Sequence, residues 1–275
     1  MLQLLPGKVT VENDVVFGTT GSRDLKCDIY RPPNEGDRRP GVLIIHGGAW
    51  ETGDRNQLRY YGIQLARYGF VGVACEYRLS GEASWPAQIH DVKAALRWMR
   101  AKAKPLGMDE GKICVTGNSA GAHLALMLGC DSDAFEGEGG NMKVSSKCAA
   151  ISAIYPPTRL HYKKNDKENM LLGEAGNDEV AAKASPINYA KKGFPPTILI
   201  HGNSDQTVPI SESFNMYHAL NKAGVGVELH VFDGAPHAFD SLAEFAKPCV
   251  QLITHFFDRK VVNPRAVEVP DLTGQ

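Results

Sequence analysis

The sequence predicts an α/β fold with a mostly parallel, doubly wound sheet, and two observations support this. Apolar runs rich in Val, Ile and Leu alternate along the chain with segments of helical period. These runs also lack the polar–apolar alternation of a strand with one face in water, so we expect helices on both faces of the sheet. Six runs are the predicted parallel strands: Val42–His46, Phe70–Glu76, Lys112–Gly117, Cys148–Tyr155, Pro196–His201 and Gly226–Phe232.

Two earlier runs are expected to pair differently. Val9–Phe17 and Leu25–Tyr30 are separated by residues 18–22, which are rich in Gly, Thr and Ser. Turn-forming residues between two short β-type runs indicate a hairpin. We therefore predict an antiparallel hairpin at the edge of the sheet.

One helix is predicted by an apolar stripe at steps of three and four residues. The stripe consists of Ile89, Val92, Leu96, Met99 and Ala103. A basic row lies on another face of the same helix and is interpreted as solvated, because the neutral chain gives little support to a nucleic-acid patch. This row consists of Lys93, Arg97, Arg100 and Lys104.

Further helices are expected after Gln57, Ser119 and Pro209. Another is expected after Phe239, with a kink or a restart at Pro248 because proline cannot donate a backbone hydrogen bond.

Length and composition fit one globular domain over residues 1–275. The chain is 43% hydrophobic and carries a formal net charge of −1, which disfavours binding to nucleic acid. No apolar run approaches the ~20 residues of a membrane span. No signal peptide is recognisable, so we expect a cytoplasmic protein, or a secreted one if a leader has been removed. The six cysteines contain no CxxC pair and are expected to be reduced and mostly buried.

Two segments depart from the alternation of strands and helices. Residues 156–194, in the region between the sixth and seventh strands, are polar and form a small insertion that either covers a site or decorates the surface. Residues 261–275 contain Pro264 and Pro270 and are expected to form a peripheral tail.

A nucleophile is indicated at Ser119. Gly117-Asn118-Ser119-Ala120-Gly121 follows a predicted strand and opens a predicted helix, which is the context of a GxSxG nucleophile elbow. The sharp turn leaves no room for Cβ atoms beside the serine, hence the small flanking residues. A serine hydroxyl needs a base, and the base needs an acid that orients it.

The acid and the base are expected in two later loops. Asp205 follows the strand that ends at His201, and His237 follows the strand that ends at Phe232. Nucleophile, acid and base thus occur along the chain in the order Ser119, Asp205, His237, and each follows the carboxyl end of a predicted strand. Asp233 and Asp240 flank His237 but are too near in sequence to hold its ring from behind.

The loop after Val42–His46, the third predicted strand when the hairpin is counted, is the expected oxyanion hole. His46-Gly47-Gly48-Ala49-Trp50 has small residues where the backbone must approach the substrate. The N–H groups of Gly48 and Ala49, with that of Ala120, would hold the oxygen of a tetrahedral intermediate. His46 is expected to fix the loop. Trp50 is assigned to substrate binding, with a packed core tryptophan as the alternative.

These motifs resemble the α/β-hydrolase esterases that carry HGG[GA]W and GxSAG, and most of all the bifunctional acetylxylan/feruloyl esterase-like enzymes. Hormone-sensitive-lipase-type esterases are more distantly similar. Further matching pieces, over about residues 25–260, are Gly53-Asp54, Glu76–Leu79, His90-Asp91, His123–Ala125, Ala184–Pro186, His201-Gly202 with Val208-Pro209, and His237–Phe239. Ala49, Glu76 and Ala122 depart from the common pattern.

The resemblance implies a serine esterase that needs no cofactor or metal and acts on short acyl esters, such as acetyl or feruloyl esters of carbohydrate. The expected partner is a small-molecule or carbohydrate ester. Activity should fall as the pH drops through roughly 6–7, where an imidazole gains its proton. An arylformamidase of the kynurenine formamidase type and an inactive hydrolase-fold binding protein are the alternatives. The oligomeric state is not predicted.

Overall fold

A computed structural model describes residues 2–21, 23–34, 36, 38–130, 135–162 and 171–266. The strands of its sheet are β1 (Thr10–Thr19), β2 (Asp24–Arg31), β3 (Arg39–Ile45), β4 (Val71–Cys75), β5 (Met108–Asn118), β6 (Ile151–Ile154), β7 (Thr197–Gly202) and β8 (Val227–Phe232). They form a single sheet in the order β1-β2-β4-β3-β5-β6-β7-β8, so β1 and β8 lie at its edges.

Pairing within the sheet confirms the predicted fold class. β1 pairs with β2, and β2 with β4, in antiparallel orientation. Every pair from β4 and β3 through to β7 and β8 is parallel. The sheet is thus mostly parallel with an antiparallel hairpin at its N-terminal edge. The carboxyl ends of the parallel strands share one rim, where ligands bind in sheets of this kind.

Helices cover both faces of the sheet. They are α1 (Arg59–Arg67), α2 (Ala87–Ala101), α3 (Ala120–Met127), α4 (Asp178–Lys183), α5 (Ser211–Lys222) and α6 (Ala243–Phe257). Short 3₁₀ turns span Pro186–Tyr189 and Phe239–Ser241, and a π-helical turn spans Asp258–Val262. Apolar residues of α2, α3 and α5 pack on one face, and those of α1 and α6 pack on the other.

Two predictions about helices were wrong in part. α6 does not restart at Pro248 but continues through it, because the burial of its apolar face, including Cys249 and Ile253, offsets the missing backbone hydrogen bond. The basic row is solvated only in part: Lys104, beyond the end of α2, is exposed, but the first two members are buried. Lys93 and Arg97 are only 3% and 0% exposed, because chain that includes Glu136 lies over that face and supplies their hydrogen-bond acceptors.

The described part of the 156–194 segment is anchored to the rest of the protein. The N–H of Trp85 donates to the carbonyl of Leu171 at 2.7 Å. The N–H of Leu160 donates to Ser185 Oγ at 2.8 Å, which ties the start of the segment to its end. Residues 163–170 at its centre lie outside the described residues.

The C-terminal residues correct one boundary. Val261, expected to begin a peripheral tail, is 7% exposed and packs with the core residues under α6. Residues 267–275 of that tail lie outside the described residues.

The six cysteines are free thiols, five of them buried and Cys148 half-buried. None of the helices in the described part of the chain has the length and apolar character that crossing a membrane requires.

Candidate active site

Ser119 sits at the sharp turn between β5 and α3. Its backbone has φ 51° and ψ −122°, a strained conformation for a residue with a side chain. The turn is held by the Ser119 N–H, which donates to the carbonyl of Ile154 at 2.9 Å. A Cβ atom on Gly121 would lie 2.1 Å from the carbonyl oxygen of Ile45, so this position accepts only glycine. Close packing against the end of β3 therefore requires a glycine two residues after the serine.

His237 and Asp205 lie in line with the serine hydroxyl. His237 Nε2 is 3.1 Å from Ser119 Oγ, and His237 Nδ1 is 2.7 Å from Asp205 Oδ2. A carboxylate only accepts, so Nδ1 carries the proton and Nε2 is free to accept one from the serine. The structure thus joins the three side chains in one chain of hydrogen bonds. The imidazole is partly exposed (22%), whereas the Asp205 side chain is fully buried.

The carboxylate of Asp205 is surrounded by donors. Its Oδ1 accepts the N–H groups of Thr207 and Val208, each at 2.8 Å. Burial alone would raise the pKa of Asp205, but hydrogen bonds from His201, His237 and these two amides hold that pKa well below its usual value. The group therefore stays ionised over the pH range in which an imidazole titrates.

The loop after β3 turns sharply through residues with positive φ. Gly48 and Ala49 have φ values of 113° and 52°, and the carbonyl of Gly48 accepts the N–H groups of Glu51 and Thr52. No described residue accepts a hydrogen bond from the N–H of Gly48 or Ala49. The N–H of Ala120 belongs to the first turn of α3, whose amides start without a helical partner.

His46 holds this loop in place through a hydrogen bond and a ring contact. It is 2% exposed, its Nδ1 hydrogen bonds with the carbonyl of Gly47 at 2.7 Å, and its ring stacks on Tyr77 at 4.4 Å. Burial lowers the pKa of His46, which keeps the ring neutral.

Trp50 packs into the apolar core. Its side chain is 4% exposed. Its indole N–H donates to His123 Nδ1 at 3.2 Å. These contacts fit the packed core tryptophan, and a contact with substrate stays a prediction.

The two acidic residues near His237 in sequence are hydrogen bonded to other groups. Asp233 is exposed and accepts from Asn203 Nδ2 at 2.8 Å. Asp240 is buried and accepts hydrogen bonds from Tyr155 Oη and, at 3.2 Å, from Asn118 Nδ2. Burial raises the pKa of Asp240, although these donors oppose the effect.

Sequence reasoning missed Tyr155, which lies just after β6. Its ring packs against His237 with centroids 4.7 Å apart, and its hydroxyl is held by Asp240 and Asn118. The sequence feature that could have indicated it is an aromatic residue with a hydroxyl group at the end of a buried strand.

Comparisons with known proteins cover most of the chain. A family model described as BD-FAE matches residues 27–220. Esterase LipQ of Mycobacterium tuberculosis is 31% identical over 244 residues, which cover 84% of this chain and 58% of LipQ. This chain thus spans somewhat more than half the length of the curated relatives it matches.

Two solved structures extend the likeness to nearly the whole chain. Esterase 2 of Thermogutta terrifontis, phosphonylated by sarin, has a TM-score of 0.83 and 28% identity and covers 96% of this chain and 99% of its own. A truncated carbohydrate esterase from gut microbiota has a TM-score of 0.80 and 27% identity, with 94% and 99% covered.

Proposed function

Because the chain belongs to the BD-FAE family and has the fold of α/β-hydrolase esterases, we propose that it is a serine carboxylesterase. The observation that carries the proposal is the hydrogen-bonded chain from Ser119 Oγ through His237 to Asp205. This arrangement supplies a nucleophile, a base and an orienting carboxylate to an ester carbonyl.

The reaction follows from what each group can do. Ser119 Oγ attacks the carbonyl carbon while His237 Nε2 takes its proton, and the charged imidazole is stabilised by Asp205. The developing oxyanion is held by the N–H groups of Gly48, Ala49 and Ala120. His237 then protonates the departing alkoxide, which leaves an acyl group on Ser119. Water, deprotonated by His237, releases the acid and restores the hydroxyl.

The preferred substrates are short acyl esters, in particular acetyl or feruloyl esters of carbohydrate. The support is the match to the BD-FAE model and the similarity to a carbohydrate esterase. A binding protein without activity would not need an aligned proton path, so the geometry weighs against that alternative.

The decisive experiment labels and assays the same preparations. The wild type should react with a fluorophosphonate probe at Ser119 and hydrolyse p-nitrophenyl acetate faster than the octanoate. Ser119→Ala should lose both properties, whereas Ser145→Ala, at an exposed serine, should keep both. The proposal would be refuted if the wild type neither reacted with the probe nor turned over esters.

A substrate panel then separates the finer alternatives. Acetylated xylan, methyl ferulate and N-formylkynurenine are compared at equal enzyme concentration. Release of acetate or ferulate in excess over formate supports a carbohydrate esterase, and the reverse order supports an arylformamidase.

A further inference from the structure

The carboxylate of Asp205 lies against a second imidazole in addition to that of His237. His201, at the end of β7, is fully buried, and its Nε2 lies 3.4 Å from Asp205 Oδ2. The same Nε2 is 3.0 Å from the carbonyl oxygen of Val208, its nearer partner. His201 therefore touches both ends of the short loop 205–208.

The neighbours of the His201 ring fix its tautomer. Both groups beside Nε2, a carbonyl and a carboxylate, are acceptors only, so Nε2 must carry the proton. Nδ1 is then an acceptor, and its partner is Ser213 Oγ at 2.7 Å. Ser213 lies in the first turn of α5 and is fully buried. Its hydroxyl must donate to Nδ1, since a buried Nδ1 without a donor would be unfavourable.

We propose that His201 and Ser213 form a positioning pair that holds Asp205 in the orientation His237 requires. Ser213 keeps the proton of His201 on Nε2. That N–H binds the carbonyl of Val208, while the N–H of Val208 binds Oδ1 of Asp205. The loop is thereby closed on itself, and Oδ2 is left facing His237. The inference rests on the proposed function, because the pair acts through the Asp205–His237 contact.

The pair also acts electrostatically on Asp205. The His201 N–H, with Nε2 3.4 Å from Oδ2, contributes, against the opposing effect of burial, to the low pKa of this carboxylate. If the His201 proton moved to Nδ1, a lone pair would face Oδ2 instead. The carboxylate would then be more basic and would hold the proton that it shares with His237 more tightly.

In the described part of the chain, the ionisable groups that face His237 come from three different elements. They are Asp205 after β7, Tyr155 after β6 and Asp240 in the turn that follows His237.

The test compares Ser213→Ala with Ser152→Ala. Ser152 is equally buried, lies in β6, and has no hydrogen-bond partner for its Oγ among the described residues. We expect Ser213→Ala to lower kcat for p-nitrophenyl acetate roughly tenfold with little change in KM. The acid limb of its kcat/KM profile should move up by about 0.5 pH unit. Ser152→Ala should change neither quantity, and His201→Gln, which retains an N–H donor, should lose less kcat than His201→Leu.

A spectroscopic measurement tests the pair without relying on turnover. In protein labelled with ¹⁵N-histidine, the His201 signals, assigned by their loss in His201→Gln, should show protonated Nε2 and unprotonated Nδ1. Ser213→Ala should increase the fraction with protonated Nδ1. A doubly protonated or Nδ1–H ring in the wild type would overturn the inference.

The outcomes for the two proposals can be told apart. If the wild type hydrolyses esters but Ser213→Ala keeps its kcat and its acid limb, the positioning pair is refuted and the esterase proposal stands. If the wild type neither reacts with fluorophosphonate nor hydrolyses esters, the proposed function fails, and the His201 tautomer alone decides whether the pair exists.

Discussion

Trp50 and His123 are joined by a hydrogen bond of 3.2 Å from the indole N–H to the imidazole Nδ1. The bond fixes the proton of His123 on Nε2, which donates to the carbonyl of Ala184 at 2.7 Å. One neutral imidazole therefore connects the oxyanion loop, the helix that follows the nucleophile and the far end of the 156–194 segment. Burial lowers the pKa of His123 to about 4.

This contact makes stability depend on pH. Between pH 6.5 and about 4 the unfolded chain takes up a proton at His123 that the folded protein excludes, so stability falls on acidification. The full effect is about 3 kcal/mol. Urea unfolding at pH 7.5 and pH 5 should show a smaller loss for His123→Gln than for the wild type. An identical pH dependence in both proteins would contradict the expectation.

Gly48→Ala is expected to damage catalysis through the backbone. A Cβ atom at this position would lie 2.1 Å from the carbonyl oxygen of Thr52, and φ is 113°. The loop must move, so its N–H groups would no longer be oriented to donate to the oxyanion. We therefore expect kcat to fall roughly 100-fold. Ala49→Gly is the matched control because it keeps the N–H and accepts φ 52° without strain. Steady-state assays should find its kcat within about twofold of the wild type.

Tyr155→Phe is expected to destabilise the protein through Asp240. The ring against His237 is retained, but the buried carboxylate loses its phenol donor. The free energy of unfolding should fall by about 2 kcal/mol. Tyr61→Phe also removes a hydroxyl beside Asp240, but that hydroxyl donates to the backbone carbonyl at 3.4 Å and lowers the pKa of the carboxylate less than Tyr155 does. Denaturant titrations should rank the loss in Tyr155→Phe above that in Tyr61→Phe.

Glu136→Gln should lower stability, because two buried cations of α2 depend on this carboxylate. Glu136 accepts from Lys93 Nζ at 2.7 Å and from Arg97 Nη1 at 2.8 Å. Without its charge, two buried cations lose their counterion, and stability should fall by about 3 kcal/mol. Glu179→Gln, which breaks an exposed pair with Lys183, should leave the thermal midpoint unchanged. Equal midpoints for both variants would argue against this account.

Sequence could position Ser119 because its turn is encoded locally. The strand, the flanking glycines and the helix occupy one continuous stretch, and Gly121 shows why no larger residue fits. Asp205 and His237 were found in the same way, since each directly follows a strand on the shared rim of the sheet.

The supporting residues could not be found from local patterns. His201 reads as part of an apolar strand, and its role depends on Ser213 in the next helix. Tyr155 and Asp240 meet only because β6 and the loop after β8 converge on His237. The helical period placed Lys93 correctly on a separate face of α2, but it carries no information about the chain that covers that face.

The position of β8 at the edge of the sheet has a consequence for how the proposed activity would be lost. The loop that carries His237 is supported by a strand with a neighbour on one side only, and such strands fray before interior ones. Ser119, by contrast, follows a strand enclosed on both sides. On warming or in mild denaturant, His237 should therefore be displaced first. The proposed activity should then be lost while most of the sheet remains folded.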